Sequence, residues 1–319
     1  MASEEQASSL AGLGEFAVID RIVAGRNQPG IVAVGPGDDA AVVVARDGRT
    51  VVSTDMLVEG RHFRRDWSSA HDVGRKAIAQ NAADIEAMGA AATAFVVAFG
   101  APGDTPSAQV LELADGMWEE AAKLGAGIVG GDLVSAPQWV ISVTVLGDLA
   151  GRAPVLRAGA RVGDTLAIAG ELGRSAAGFH LWHNNIGGYD ELCRRHLVPE
   201  PPYGQGRVAA DTGATAMTDV SDGLLADLGH VADASGVGIN VSTQPLTADH
   251  DAVAAAAEAA GADPWALVLG GGEEHALVAT FHGTPPHGWR VIGTVIDGPP
   301  RVLVDGDAWH GNPGWQSYQ

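Results

Sequence analysis

Leu13, Phe16, Ile19 and Val23 recur at near-helical spacing, so the pattern predicts a short amphipathic helix over 13–24. The period then changes. IVAV (31–34) and AAVVVA (40–45) are apolar runs of strand length, separated by a turn at GPGDD (35–39). Asp47-Gly48 is a hairpin-type turn into a third strand, TVVST (50–54). A loop over 56–69 carries His62. Residues 70–88 read as a helix that stops at Gly89. Strand 92–99, helix 106–124, a short strand at 127–129 and strand 139–147 follow.

DLAGRAPVLRAGARVG (148–163), rich in Gly, Ala and Arg, is the best linker candidate. A second series comes after it: strand 164–169, helix 173–183, an irregular polar stretch to about 204, helix 205–212, strand 215–218 and helix 223–235. Strand 237–242, helix 249–260 and strands near 276–281, 289–296 and 301–304 complete it. Both halves mix helices and strands. The expected class is therefore α/β (α+β), with mixed sheets flanked by helices and domains at 1–148 and 149–319.

Composition narrows the functions. At 319 residues with 46% hydrophobic and 18% charged residues, the chain can build a sizeable core, and global disorder is excluded. Nineteen Lys+Arg against 39 Asp+Glu give a net charge of −20, so no overall basic surface exists for nucleic acid or an anionic membrane. The Ala-rich stretch 87–103 falls short of a membrane span and ends in Gly100, Pro102 and Gly103. MASEEQASSL carries acids where a signal peptide needs a basic start. The single cysteine, Cys193, rules out an intrachain disulfide. A soluble, cytoplasmic protein is expected.

Candidate chemistry lies in six acidic clusters, each beside glycine or at the end of an apolar run. They are GPGDDA (35–40), STDM (53–56), NAADIEAMG (81–89), GGD (130–132), TDVSDG (218–223) and GGGEEH (270–275). Any one of them is an ordinary turn. Together they suggest carboxylates gathered around hard divalent cations such as Mg²⁺, Ca²⁺ or Mn²⁺. The ligands would converge from distant segments, unlike those of an EF-hand loop. Asp84 stands inside an apolar helical stretch. It is either a functional acid or part of a solvated face paired with Arg75 or Lys76.

Other motifs say less. No Walker A loop, HExxH or nucleophile elbow is present. GPGDDA and GAGIVG (125–130) match a dinucleotide fingerprint only weakly, since neither runs from a strand into a helix. His62, His180 and His183 have bland readings as surface histidines. Trp315 is either a core anchor or an aromatic platform.

The ordered set GPGDDA, STDMLVEGRHF (53–63), NAADIEAMGA (81–90), GIVGGD (127–132), LRAGARVGD (156–164), DVSDGL (219–224) and GGGEE (270–274) resembles the thiamine-monophosphate kinase family. That family lies in the superfamily that includes aminoimidazole ribonucleotide synthetase. The resemblance implies a two-domain aminoimidazole ribonucleotide synthetase-like fold and a homodimer formed through N-terminal strands. It implies ATP bound without a P-loop, several Mg²⁺ ions, and thiamine monophosphate as phosphoryl acceptor by direct in-line transfer. The N-terminal domain would bind metal and ATP and form the dimer, and the C-terminal domain would complete the ATP and substrate site.

Residue roles follow from the same resemblance. Asp39, Ser53, Thr54, Asp55, Asp84, Asp132, Asp219 and Asp222 would be the metal ligands. Gly131, Asp132, Arg157 and Ser221 would contact ATP. His62, Glu273 and Trp315 would line the acceptor pocket, and no single acid or base is implied.

Two segments depart from the family pattern. Glu274-His275 stands where the family often has Asp and an aromatic, and Trp315-Gln316-Ser317-Tyr318 replaces a Trp-Asp-His-Phe ending. Sister enzymes that rely on a reactive or terminal cysteine fit poorly with Cys193. A non-catalytic acidic protein binding cations or nucleotide is the rival from another class.

Overall fold

The computed structural model describes residues 9–13, 15–36 and 41–315. Its contacts divide the chain into two compact units, one of Met1–Ile85 and Ala92–Ala150, the other of Glu86–Ala91 and Gly151–Gln319.

The first unit begins with helices α1 (Leu10–Leu13) and α2 (Glu15–Val23) and a small antiparallel pair, β1 (Val32–Val34) and β2 (Val42–Val43). Strand β3 (Val51–Val58), helix α3 (Ala70–Ala87), strand β4 (Ala91–Ala101), helix α4 (Ser107–Leu124) and strands β5 (Gly127–Ser135) and β6 (Val140–Asp148) follow. The sheet order is β3-β6-β4-β5, antiparallel between β3 and β6 and parallel between β4 and β5. Alternate residues of β6, Ile141, Val143 and Val145, are fully buried, as are Ala77, Ile78 and Ile85 of α3. Helices α3 and α4 touch backbone to backbone. A Cβ on Gly74 would lie 2.1 Å from the Leu113 carbonyl oxygen, and one on Gly116 would lie 2.0 Å from that of His71. The other face of β3 is uncovered, with Val52 58% and Met56 54% exposed.

The second unit holds β7 (Thr165–Ala169), α5 (Arg174–His183), α6 (Asp190–Leu197), α7 (Gln205–Thr212), β8 (Ala214–Asp219), α8 (Leu224–Ser235) and β9 (Gly238–Val241). Helices α9 (Thr247–Ala260) and α10 (Pro264–Gly270) and strands β10 (Leu277–Phe281), β11 (Arg290–Ile296), β12 (Arg301–Val304) and β13 (Asp307–Ala308) complete it. Seven strands run in the order β13-β12-β9-β11-β7-β10-β8, with β9 and β12 parallel. Both faces are covered. Leu166 and Ile168 of β7 join the larger apolar cluster, while Ala167 and Ala169, on the opposite face, join the cluster of Met217, Phe281 and Trp289.

Several boundaries differ from the sequence pattern. The short strand expected at 127–129 runs on through Gly130, Gly131 and Asp132 to Ser135, because parallel pairing with β4 overrides the turn-like composition. GAGIVG is therefore a helix stop at Gly125 (φ 65°) followed by a strand, which removes the dinucleotide reading. Strand β3 extends to Val58, into the expected loop. The polar stretch before 204 contains α6, which has too few apolar positions to show a period. It is held by Leu192, Cys193 and buried His196. Helix α10, absent from the predicted elements, has a local start signal: Asp263 caps it by accepting from Trp265 N–H at 3.0 Å, and Pro264 occupies the first turn. Among the described residues no single helix is long and apolar enough to cross a membrane.

Candidate active site

In the first unit the site follows from the two-residue period of β3. Ser53 and Asp55 share one face with buried Leu57. Ser53 Oγ donates to Asp84 Oδ2 at 2.6 Å. The Asp55 main-chain N–H donates to Asn81 Oδ1 at 3.1 Å, and Gln80 Nε2 donates to Asp55 Oδ2 at 3.3 Å. Asn81 is fixed in turn by donation to the Ala77 carbonyl at 2.8 Å. A polar seam thus joins β3 to α3 within an otherwise apolar packing. Of the two cations that a solvated face would offer Asp84, Arg75 is bonded to Glu120 at 2.9 Å and Lys76 is 2% exposed.

The same alternation turns the Thr54 hydroxyl the other way, where it donates to the Val143 carbonyl at 3.0 Å and meets Thr144 Oγ1 at 3.1 Å. What Thr54 has left for a cation on the Ser53 side is main chain. His62 sits in the turn after β3. Its Nδ1 accepts from Val58 N–H at 3.0 Å, which leaves Nε2 as the protonated nitrogen of the neutral ring. Gly131 and Asp132 are exposed on β5. A Cβ on Gly131 would lie 2.0 Å from the Val97 carbonyl oxygen, so only glycine fits there. Strands β3 and β5 are opposite edges of the sheet, three strand spacings or about 14 Å apart. The sheet order alone does not bring Asp132 to Ser53 and Asp84. Asp39 lies outside the described residues.

In the second unit the candidates share one neighbourhood, knit by main-chain bonds between two loops. Val220 N–H donates to the Ala276 carbonyl and His275 N–H to the Val220 carbonyl, both at 2.8 Å; Glu273 N–H donates to the Ser221 carbonyl at 2.7 Å. Trp315 N–H donates to the Asp222 carbonyl at 2.8 Å, while its ring stays 60% exposed. That exposure rules out a core anchor. Arg157 Nε donates to Thr218 Oγ1 at 3.3 Å, one residue from Asp219. Glu273 has φ 60°, in the left-handed region, and its Oε2 lies 3.5 Å from His196 Nδ1. It lines a cleft of about 200 Å³ with Arg174, Arg195 and Glu274.

Three supporting residues had no role assigned from sequence, although two of them, Glu274 and His275, belong to GGGEEH. Asp227 Oδ2 accepts the N–H groups of Ser221, Asp222 and Gly223 at 3.0, 3.0 and 3.1 Å, fixing the DVSDG loop. Burial, then the charge of Asp219, pushes the Asp227 carboxyl up to about 7. Glu274 is half-buried beside that cleft and accepts from Ser175 N–H at 2.7 Å; burial pushes its carboxyl up to about 8. His275 Nδ1 meets Asp219 Oδ2 at 3.0 Å. Asp227 was the one detectable from sequence, as an acid in the first turn of the helix that follows DVSDG.

These donors suit a hard divalent cation. They are carboxylate and hydroxyl oxygens, and the Asp222 carboxyl is raised by burial and also by the charge of Asp219, a repulsion that a cation relieves. Among the described residues no three His, Cys, Asp or Glu side chains converge in a ready-made metal cluster.

Comparison with known proteins finds the AIR synthase related protein N-terminal domain at residues 37–149 and the C-terminal domain at 161–305. The chain is 68% identical to thiamine-monophosphate kinase of Mycobacterium tuberculosis over 313 residues, covering 98% of this chain and 94% of the relative. A crystal structure of thiamine-monophosphate kinase from Stenotrophomonas maltophilia K279a superposes with a TM-score of 0.80 at 31% identity, covering 93% of this chain and 98% of that one. The structure of AaThiL complexed with AMPPCP and TMP superposes with a TM-score of 0.77 at 30% identity, covering 96% and 97%.

Proposed function

The chain belongs to the thiamine-monophosphate kinase family, and from that premise we propose that it transfers the γ-phosphoryl group of ATP to thiamine monophosphate, giving thiamine diphosphate and ADP. The observation that carries this reading is identity spread over 98% of the chain to a relative of that name. The complex of AaThiL with AMPPCP and TMP supports ATP and the monophosphate as the two substrates.

The acceptor is a phosphate monoester whose second pKa is about 6. It is largely ionised near neutral pH and needs no strong general base, which suits a site without an evident one. Its difficulty is bringing two anions together on a chain of net charge −20. Asp39, Ser53, Asp55, Asp84, Asp132, Asp219 and Asp222, with the main chain of Thr54, would hold Mg²⁺. Held there, Mg²⁺ would supply charge neutralisation for the phosphates and so favour in-line transfer.

The remaining roles belong to the chain itself. Arg157 offers a fixed guanidinium to the ATP phosphates, with Gly131 and Ser221 completing the nucleotide contacts. His62, the carboxylate of Glu273 and the exposed ring of Trp315 face the acceptor; an anion and an aromatic face both attract the cationic thiazolium ring. Transfer is direct, with no phosphoenzyme. The first domain supplies most cation ligands and the dimer contact, and the second completes the ATP and acceptor site. The open face of β3, with Val52 and Met56 exposed, supports a homodimer through that sheet. The reaction is assigned to the cytoplasm.

The test is ADP release from ATP and Mg²⁺ with thiamine monophosphate, free thiamine or no acceptor, together with chromatography for thiamine diphosphate. Diphosphate formed only with the monophosphate and Mg²⁺ is expected. Tight Mg-ATP binding with no turnover of any acceptor would instead mark a non-catalytic nucleotide binder.

A further inference from the structure

We propose that His275 is a positioning residue for Asp219. It holds one carboxylate oxygen so that the other stays turned toward the cation. The inference rests on the proposed role of Asp219 as a cation ligand and gives a role to a residue of GGGEEH that the resemblance leaves without one.

Asp219 ends β8 and is 2% exposed, and His275 is 6% exposed. Their Nδ1···Oδ2 contact is 3.0 Å. An ionised carboxylate only accepts hydrogen bonds, so His275 Nδ1 carries the proton and donates it. Asp219 Oδ1 has no hydrogen-bond partner among the described residues. One oxygen is thus committed and the other is free, as in the outer-shell partners that orient metal-binding carboxylates.

The ring is aimed by its own backbone. His275 has φ 53°, a left-handed conformation unusual for a residue with a Cβ, and Glu273 has φ 60°. Both hold that conformation while their N–H groups bond the loop that follows Asp219. The strained turn therefore does two things. It presents Glu273 at the cleft and drives the His275 imidazole inward onto Asp219. A histidine that merely filled space would need neither the buried donor nor the strain.

The experiment compares His275→Phe, which keeps a ring and removes the donor, with His275→Asn, whose amide nitrogen takes the place of Nδ1. Mn²⁺ affinity without nucleotide is read by electron paramagnetic resonance, and the Mg²⁺ dependence of ADP release is read alongside. His275→Phe is expected to weaken cation affinity about 10-fold or more, with kcat at saturating Mg²⁺ little changed; His275→Asn is expected to recover most of that loss. Should the Phe variant fail to fold, His275→Gln, whose amide reaches the Nε2 position, serves as the donor-deleted form.

Wild-type cation affinity in a folded donor-deleted variant overturns the proposal. So does equal weakening in His275→Asn and His275→Phe. Asp219→Asn is measured in parallel. If it leaves cation affinity intact, the ligand role of Asp219 fails. If it weakens affinity while His275→Phe does not, only the positioning role fails.

Discussion

Ser53 and Asp84 meet across a half-exposed seam between one strand and one helix, where Ser53 Oγ donates to Asp84 Oδ2 at 2.6 Å. Asp219, Ser221 and Asp222 sit instead in a lattice of main-chain bonds from the 273–276 loop, with Asp227 closing three N–H groups beneath them. The first region lies on a sheet with one open face, the second on a sheet packed on both faces. The contrast suggests a division of labour. On the proposed reading the half-exposed oxygens of the β3–α3 seam would exchange ligands at little desolvation cost, while the second region fixes geometry in advance through its buried supports.

The largest effect expected is on turnover, in the loosely built region. Asp84→Asn removes a charge but keeps shape, so the fold should survive while kcat falls by about 10²–10³-fold or more. The check is ADP release across a Mg²⁺ titration beside circular dichroism. Activity close to wild type at any Mg²⁺ concentration removes Asp84 from the chemistry and leaves only the second region as a functional centre.

In the tightly built region the main effect should be on stability. Asp227→Ala leaves three buried or half-buried N–H groups without their acceptor. A loss of about 3 kcal/mol in urea denaturation is expected. Asp227→Asn keeps an acceptor oxygen and should retain most of that stability. A loss below about 1 kcal/mol in the Ala variant would mean that the 273–276 loop alone holds the DVSDG segment.

Glu274 sharpens the same contrast through pH. Its carboxyl is raised from 4.5 to about 8, chiefly by burial. The folded state therefore binds this proton more tightly than the unfolded chain. The associated stability is fully present below about pH 4.5 and is lost as pH rises toward and through 8. Between pH 6 and pH 8 the loss from this group is about 2 kcal/mol. Glu274→Gln should flatten that part of the stability profile. An unchanged slope between pH 6 and 8 in the Gln variant would show that the decline comes from another group.

The reach of the sequence follows the same division. Strands and helices of the second unit that bury both faces, such as β7 and β10, announce themselves as apolar runs, and the DVSDG and GGGEE segments fall at strand ends as their glycines suggest. What stayed hidden needed partners distant in sequence. The strand beyond Val129 exists because β4 lies beside it, and α6 exists because Leu192, Cys193 and His196 pack inward. The His275–Asp219 pair spans 56 positions and has no spacing signature. The Thr54 side chain left the Ser53–Asp55 face for a reason the sequence did contain, the period of two along a strand.

The smallest effect expected is from Ser53→Ala. Its hydroxyl gives one hydrogen bond to Asp84 Oδ2 in a part-buried setting, where water can replace it. A loss of about 0.5–1 kcal/mol follows from one such bond, several times less than Asp227→Ala. Asp84 keeps its charge, so kcat should fall far less than in Asp84→Asn, with the change appearing mainly in the Mg²⁺ concentration needed. Thermal or urea unfolding paired with a Mg²⁺ titration measures both. If Ser53→Ala destabilised the chain as much as Asp227→Ala, the seam would be as rigidly supported as the DVSDG loop, and the difference between the two regions would lie in exposure alone.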